Sequence, residues 1–163
     1  MGAPMFANLS YESVVRKYAQ TVMGVCVMRL QNMADAEDCF QNSFIKLYTK
    51  APDFKDETHL KAWLIRVAIN ECNNYLRDNR RFVLVGNISN DTITKSEDEW
   101  DVSWALQRLS SPYREVLYLH YCERYKVSEI AEILGKPSNT IKTLLKRGRE
   151  KLKAIYGGDA GNE

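Results

Sequence analysis

Between Lys136 and Lys153 stand seven cations (Lys136, Lys142, Lys146, Arg147, Arg149, Lys151 and Lys153) and one carboxylate, Glu150, a local charge of +6 in a chain whose net charge is +2. Asn139, Thr140 and Thr143 are interleaved with them. Long basic side chains pair with phosphate oxygens or guanine edges, and Asn and Thr reach bases or backbone, so this mixture suits a nucleic-acid surface. A second concentration of charge, Asp35, Glu37 and Asp38, is acidic. Carboxylates at this spacing serve either as ligands for a nuclease metal or as the favourable negative end of a helix. No histidine lies near them and no second carboxylate cluster is placed against them, which favours the helix start.

The remaining candidate chemistry is sparse. The four cysteines, Cys26, Cys39, Cys72 and Cys122, form no CxxC pair, and the two histidines are His59 and His120. Three of the thiols fall on apolar helical stripes, so they are expected to be reduced core residues of a cytoplasmic protein, with neither a metal nor a cofactor site. The N-terminal residues lack a basic segment followed by an apolar run, and no stretch approaches the ~20 apolar residues of a membrane span, so no membrane insertion is expected.

The elements that position these groups follow from periodicity. Tyr11, Val14, Val15, Tyr18, Val22, Cys26 and Leu30 recur at three- and four-residue steps, predicting a helix from Tyr11 to Leu30 with Ser10 as its N-cap. Asp35 to Tyr48 repeats the pattern with Ala36, Phe40, Phe44, Leu47 and Tyr48 on one side, and Pro52 stops it. A third helix is expected over residues 58–77, with Leu60, Trp63, Leu64, Val67, Ala68, Cys72 and Tyr75 facing inward. Three such helices make a self-sufficient bundle.

The pattern then dissolves into Gly86, Asn87, Ser89, Asn90, Asp91 and Thr92, the composition of a linker. Helical signals resume over residues 97–109, with Trp100, Trp104, Leu106 and Leu109 as core contacts. Ser111 followed by Pro112 reads as an N-cap with proline at the first helical position, ahead of Val116, Leu117, Leu119 and Tyr121. A short helix over residues 128–134 carries Ile130, Ala131 and Leu134 inward and ends at Gly135. A last helix, residues 139–156, repeats Ile141, Leu145, Gly148, Leu152 and Ile155. No β-hairpin signal and no internal repeat is present.

The expected fold is therefore all-α, two small helical domains joined by a flexible linker: residues 1–81, a linker over 82–96, a second domain over 97–156 and a mobile tail over 157–163. The short helix, glycine turn and long helix of the second domain form a helix-turn-helix, whose second helix enters the major groove N-terminus first. That makes Asn139, Thr140, Lys142, Thr143, Lys146 and Arg147 the candidate DNA contacts.

Val127 to Leu152 resembles region 4 of the extracytoplasmic-function sigma factors, a branch of the sigma-70 family, and Leu109-Ser-Ser-Pro-Tyr-Arg-Glu-Val-Leu resembles the start of that region. Independently, Asp35-Ala-Glu-Asp-Cys-Phe-Gln-Asn-Ser-Phe-Ile-Lys resembles the region 2 helix that docks on polymerase, and Leu60-Lys-Ala-Trp-Leu-Ile-Arg-Val-Ala-Ile-Asn the strand-opening helix after it. The resemblance implies an alternative sigma factor that binds core RNA polymerase and promoter DNA and is commonly held by an anti-sigma factor. It implies that Asp35, Glu37, Asp38 and Gln41 face polymerase and that the six residues of the last helix read the minus-35 element. Phe54, Lys55 and Asp56 lie in the loop that the family uses to receive an unpaired base. Lys61, Arg66, Asn70, Asn74 and Arg77, with Arg80 and Arg81 beyond, then meet the minus-10 element. A linker of about 14 residues spans at most ~50 Å extended, about one and a half turns of duplex at ~34 Å per turn, so two tethered readers can engage separated elements together.

Three departures from the family pattern stand out. Leu144 replaces a frequent arginine, Gly148 replaces a usual alanine at up to ~1 kcal/mol of helix propensity, and Pro137 with Ser138 alters the helix entry. The rival reading is an ordinary helix-turn-helix regulator that binds an operator. It accounts for Val127 to Leu152 and leaves the first domain's two motifs unexplained.

Overall fold

The computed structural model describes residues 4–79 and 105–160, with side chains through Tyr156. The chain forms two compact helical units, one on each side of residues 80–104. The predicted contacts Trp100 and Trp104, the cations Arg80 and Arg81, and the proposed linker lie outside the described residues.

The first unit is a three-helix bundle, α1 (Tyr11–Leu30), α2 (Met33–Lys50) and α3 (Glu57–Asp78), each helix packing on the other two. Each start is fixed by a side chain that accepts an otherwise unsatisfied N–H: Ser10 from Ser13 (3.2 Å), Asn32 from Asp35 (3.1 Å) and Asp56 from His59 (2.8 Å). Gln31, at φ 59°, ends α1 in left-handed geometry and sends the chain back as α2. Because α2 begins at Met33, only Asp35 occupies its first turn, while Glu37 and Asp38 sit in the second.

Two short strands precede the bundle, β1 (Met5–Phe6) and β2 (Leu9–Ser10), paired antiparallel through Ala7 and Asn8, both at positive φ. No hairpin signal marks them in the sequence. Strands of two residues are too short to show alternation, and the turn lacks the usual glycine. The pair buries Phe6 against Tyr11, which in turn meets Tyr48 edge to face.

The core contains Val14, Val22, Val25, Leu47, Leu60, Leu64 and Ile65, all essentially inaccessible. Val25, Ile65 and Ile69 join the predicted stripes, whereas Tyr48 is 58% exposed and Trp63 only half-buried, against the expectation for both. Cys26, Cys39 and Cys72 meet at the centre, one from each helix, with Cys72 hydrogen-bonded to both others. Burial first, and Cys72 beside it, push the Cys39 thiol up to about 12. Cys72 is driven upward as well, first by its bond to Cys26 and then by burial. The Cys39 and Cys72 thiols therefore stay protonated and react slowly, and Cys26 is shielded by complete burial. With a disulfide exchange reagent, native protein should release one equivalent quickly, from the exposed Cys122, and the other three only on unfolding.

In the second unit, residues 105–107 are helical and bury Ala105, Leu106 and Leu109. Helix α4 (Ser111–Leu117) is capped at Ser110, one residue before the expected Ser111, and runs into a π-helical turn, Tyr118–Cys122. That wider turn shifts the side-chain phase, so Leu119 is buried while Tyr121, expected inside, is 53% exposed. Helix α5 (Val127–Leu134) buries Ile130 and Ile133, leaving Ala131 and Leu134 at its edge, and ends at Gly135, φ 63°. Helix α6 (Ser138–Ala160) continues past Tyr156, where the sequence suggested a mobile tail, and buries Ile141, Leu145 and Gly148.

Candidate nucleic-acid interface

The turn of α5 into α6 holds the cationic face. At about 100° per residue, Ile141, Leu145 and Gly148 fall on one side of α6 and Asn139, Thr140, Lys142, Thr143, Lys146 and Arg147 on the other. All six are exposed, so the structure brings the six predicted residues together. Among the described residues the ammonium groups of Lys142 and Lys146 and the guanidinium of Arg147 have no partner, and they are free to meet an anion. Thr143 differs, because its hydroxyl donates to the Asn139 carbonyl at 3.0 Å and leaves chiefly its methyl to the outside.

Two further cations of the helix are already engaged. Arg149 donates to the Tyr121 hydroxyl at 3.0 Å, and the Lys151 ammonium lies 5.3 Å from the Tyr113 ring centre. These two tie α6 to the body of the unit. The π-helical turn that exposes Tyr121 thereby supplies one of the anchors.

Gly148 also has a structural reason. A Cβ there would lie 3.1 Å from Leu117 Cδ1 and 3.5 Å from Tyr113 Cβ, so its absence lets α6 close on α4. Leu144, half-buried beside this contact, belongs partly to the packing rather than to the open face. Replacing Gly148 with valine should destabilise the second unit by about 2 kcal/mol, overpacking outweighing the gain in helix propensity. Thermal unfolding of the variant measures it.

In the first unit, α3 presents a second open face. Arg66, Asn70, Asn74 and Arg77 follow one another at three- and four-residue steps, Arg66, Asn70 and Arg77 exposed and Asn74 half-buried. Lys61 does not join them: five residues before Arg66, it lies roughly 140° round the axis and is half-buried. Arg77 pairs with its neighbour Asp78 at 3.4 Å on the open surface.

Two residues outside the predicted set continue this face toward the start of α3. His59 and Trp63 stand four and three residues apart in the same series, and the Phe54 ring meets both edge-on at 5.3 and 5.5 Å. The Lys55 N–H donates to His59 Nδ1 at 3.3 Å, which holds the loop against the helix, while the Lys55 side chain is exposed. Asp56 is occupied as the N-cap. The aromatic surface is thus Phe54, His59 and Trp63, and a helical projection that gives His59 the phase of Arg66 would have found it in the sequence.

The acidic residues of α2 divide in two. The Tyr75 hydroxyl is pushed up to about 12, first by its hydrogen bond to the half-buried Asp35 carboxylate, so Asp35 joins α2 to α3. Glu37, Asp38 and Gln41 are exposed, and Ile45 beyond them is 55% exposed. Among the described residues no three His, Cys, Asp or Glu side chains are grouped to hold a metal ion.

A cationic helix-turn-helix face and a separate helical unit with an acidic helix beside a polar, aromatic face define a DNA-binding protein with a second docking body. Comparison with known proteins gives it a family. The profile described as "Sigma-70 region 2" matches residues 14–82, and "Sigma-70, region 4" matches residues 102–152. The ECF RNA polymerase sigma factor SigW of Bacillus subtilis is 26% identical, over 88% of this chain and 87% of its own length. SigM of the same organism is 24% identical over 95% of this chain and all of its own. Among solved structures, the sigma factor RpoE of Bartonella quintana in complex with the anti-sigma factor NepR superposes with TM-score 0.79 at 24% identity, over 90% of this chain and 96% of that one. CnrH in complex with the cytosolic domain of CnrY gives 0.68 at 21% identity, over 91% and 88%. The chain belongs to the sigma-70 family, in its extracytoplasmic-function branch, and carries regions 2 and 4.

Proposed function

We infer that this protein is an alternative sigma factor that binds core RNA polymerase and directs it to initiate at a particular set of promoters. It is not an enzyme, since the polymerisation chemistry belongs to the core. The observation that carries the reading is the pairing, in one chain, of an open cationic face on α6 with an α2–α3 body of region 2 type.

The roles divide by residue as follows. Asn139, Thr140, Lys142, Thr143, Lys146 and Arg147 read the minus-35 element. Phe54, Lys55, Arg66, Asn70, Asn74 and Arg77, with His59 and Trp63, hold the opened minus-10 strand, where each stacked base contributes ~1–3 kcal/mol. Lys61 and Asp56 act through position and capping, and Asp35 through its bond to Tyr75. Glu37, Asp38 and Gln41 meet polymerase. The reader in residues 97–156 is tethered to the docking body in residues 1–81 by residues 82–96. The protein works in the cytoplasm, where its partners are, and no described helix is long and apolar enough to cross a membrane. Like RpoE, whose structure is a complex with the anti-sigma factor NepR, it is held by an anti-sigma factor until needed.

Run-off transcription with purified core polymerase on a library of promoter fragments tests this. Initiation that depends on the protein, at sites sharing two spaced elements, is expected. Absence of initiation with tight binding of free protein to a palindromic duplex would instead establish an operator-binding regulator.

A further inference from the structure

The segment between the π-helical turn and α5 holds an exposed cation on a pinned stretch of backbone. Arg124 is exposed and adopts φ 60°, a left-handed conformation that is costly for a residue with a Cβ and persists only where neighbours enforce it. The enforcement is visible on both sides. The Glu123 N–H donates to the Tyr118 carbonyl at 3.2 Å, the Tyr125 N–H donates to the Leu119 carbonyl at 3.0 Å, and His120 Nδ1 bonds the Tyr125 carbonyl at 2.9 Å. Tyr125 is buried, and Arg124, held between pinned residues, carries its guanidinium outward with no partner among the described residues.

Lys126 follows at the N-cap of α5, exposed, its backbone N–H bonded to Glu129 Oε1 at 3.1 Å and its ammonium free among the described residues. Helix α5 itself carries no cation, only Glu129 and Glu132. The next cation is Lys136, exposed just past Gly135. Eight residues of α-helix are ~12 Å long, and the major groove is ~12 Å wide. In a helix-turn-helix the first helix crosses the DNA backbone while the second enters the groove. A crossing helix that carries two carboxylates and no cation of its own must draw its cationic phosphate contacts from its flanks, and here Arg124 and Lys126 stand before the helix and Lys136 after it, with its ~12 Å between them.

We propose that Arg124 and Lys126 bind backbone phosphates on one rim of the major groove while Lys136 binds the opposite rim, a clamp that seats α6 without reading sequence. The proposal rests on α6 reading promoter DNA as inferred above. The π-helical turn and the left-handed Arg124 are the local irregularities that aim the first cation of the clamp.

The decisive variant is Arg124→Gly, because glycine accepts the backbone conformation without strain and the fold is kept. Holoenzyme assembled from core polymerase and full-length protein is titrated with a labelled promoter fragment from 50 to 200 mM salt, comparing wild type, Arg124→Gly and Arg124→Gly with Lys126→Ala. Arg124→Gly should unfold no earlier than wild type yet bind promoter more weakly, with the slope of log K against log salt flattened by about 0.9 for each lost contact. The gap to wild type should therefore narrow about threefold over that salt range, and the ranking of promoters with altered upstream bases should stay the same. An unchanged slope and affinity, or a changed base preference, would overturn the clamp. If wild-type holoenzyme itself shows no promoter binding, the sigma-factor reading falls with it, whereas wild-type binding beside an unaltered variant removes the clamp alone.

Discussion

Replacing Lys142, Lys146 and Arg147 together with alanine should abolish recognition of the upstream promoter element and leave core polymerase binding intact. The three side chains are exposed on the face of α6 opposite its buried stripe, so their loss leaves the packing of Ile141, Leu145 and Gly148 untouched. A good base contact contributes about 1–3 kcal/mol of discrimination. Losing two such contacts reduces promoter affinity roughly 100-fold. Electrophoretic mobility of the holoenzyme–promoter complex, with co-purification of the variant on core as control, reads both halves. Normal transcription from the variant at a promoter with an intact upstream element would remove α6 as the reader. Arg149 and Lys151 form a contrasting pair, since their bonds to Tyr121 and Tyr113 make alanine there a change in the stability of the unit first.

Charge reversal on the exposed acidic face of α2, Glu37→Lys with Asp38→Lys, should give the complementary phenotype. Like charges brought together across an interface cost several kcal/mol, so core binding should weaken by about 100-fold. Fluorescence titration of labelled protein with core polymerase measures it, and wild-type affinity in the variant would reassign the docking surface. Asp35 is the wrong residue for this test. Its carboxylate accepts from Tyr75, and replacing it loosens α2 from α3 before any partner is met.

The helices were legible because each buries a stripe that recurs every three or four residues, and a stripe of that kind survives in sequence whatever the exact packing. The cationic face of α6 was legible for the same reason in reverse, as the complement of Ile141, Leu145 and Gly148. What periodicity cannot carry is a change of period. The π-helical turn at Tyr118–Cys122 adds a residue to one turn, and Tyr121, inward by an unbroken count, comes out. The five-residue step from Lys61 to Arg66 is a milder case, in which a polar pattern was grouped by type although its members lie on different sides.

Side-chain bonds between helices were invisible for another reason. Nothing local to Asp35 indicates that Tyr75, far along the chain, will donate to it. The exposure of Tyr48 was likewise hidden, because its ring covers Tyr11 with one edge and leaves the rest in water, which a hydrophobic count scores as burial. The role of Gly148 was half legible: the residue was conspicuous, and the approach of Leu117 that explains it needed coordinates.

The bond between Tyr75 and Asp35 joins the last turns of α3 to the first turn of α2, the Cys39 and Cys72 thiols meet one turn further on, and Lys46 pairs with Glu71 beyond them. A body clasped at successive points along one seam behaves as a bracket rather than a hinge. Whatever grips α2 therefore dictates where α3 stands, and the polar, aromatic face of α3 is presented at a fixed offset from that grip, the way a jig presents a workpiece to the tool.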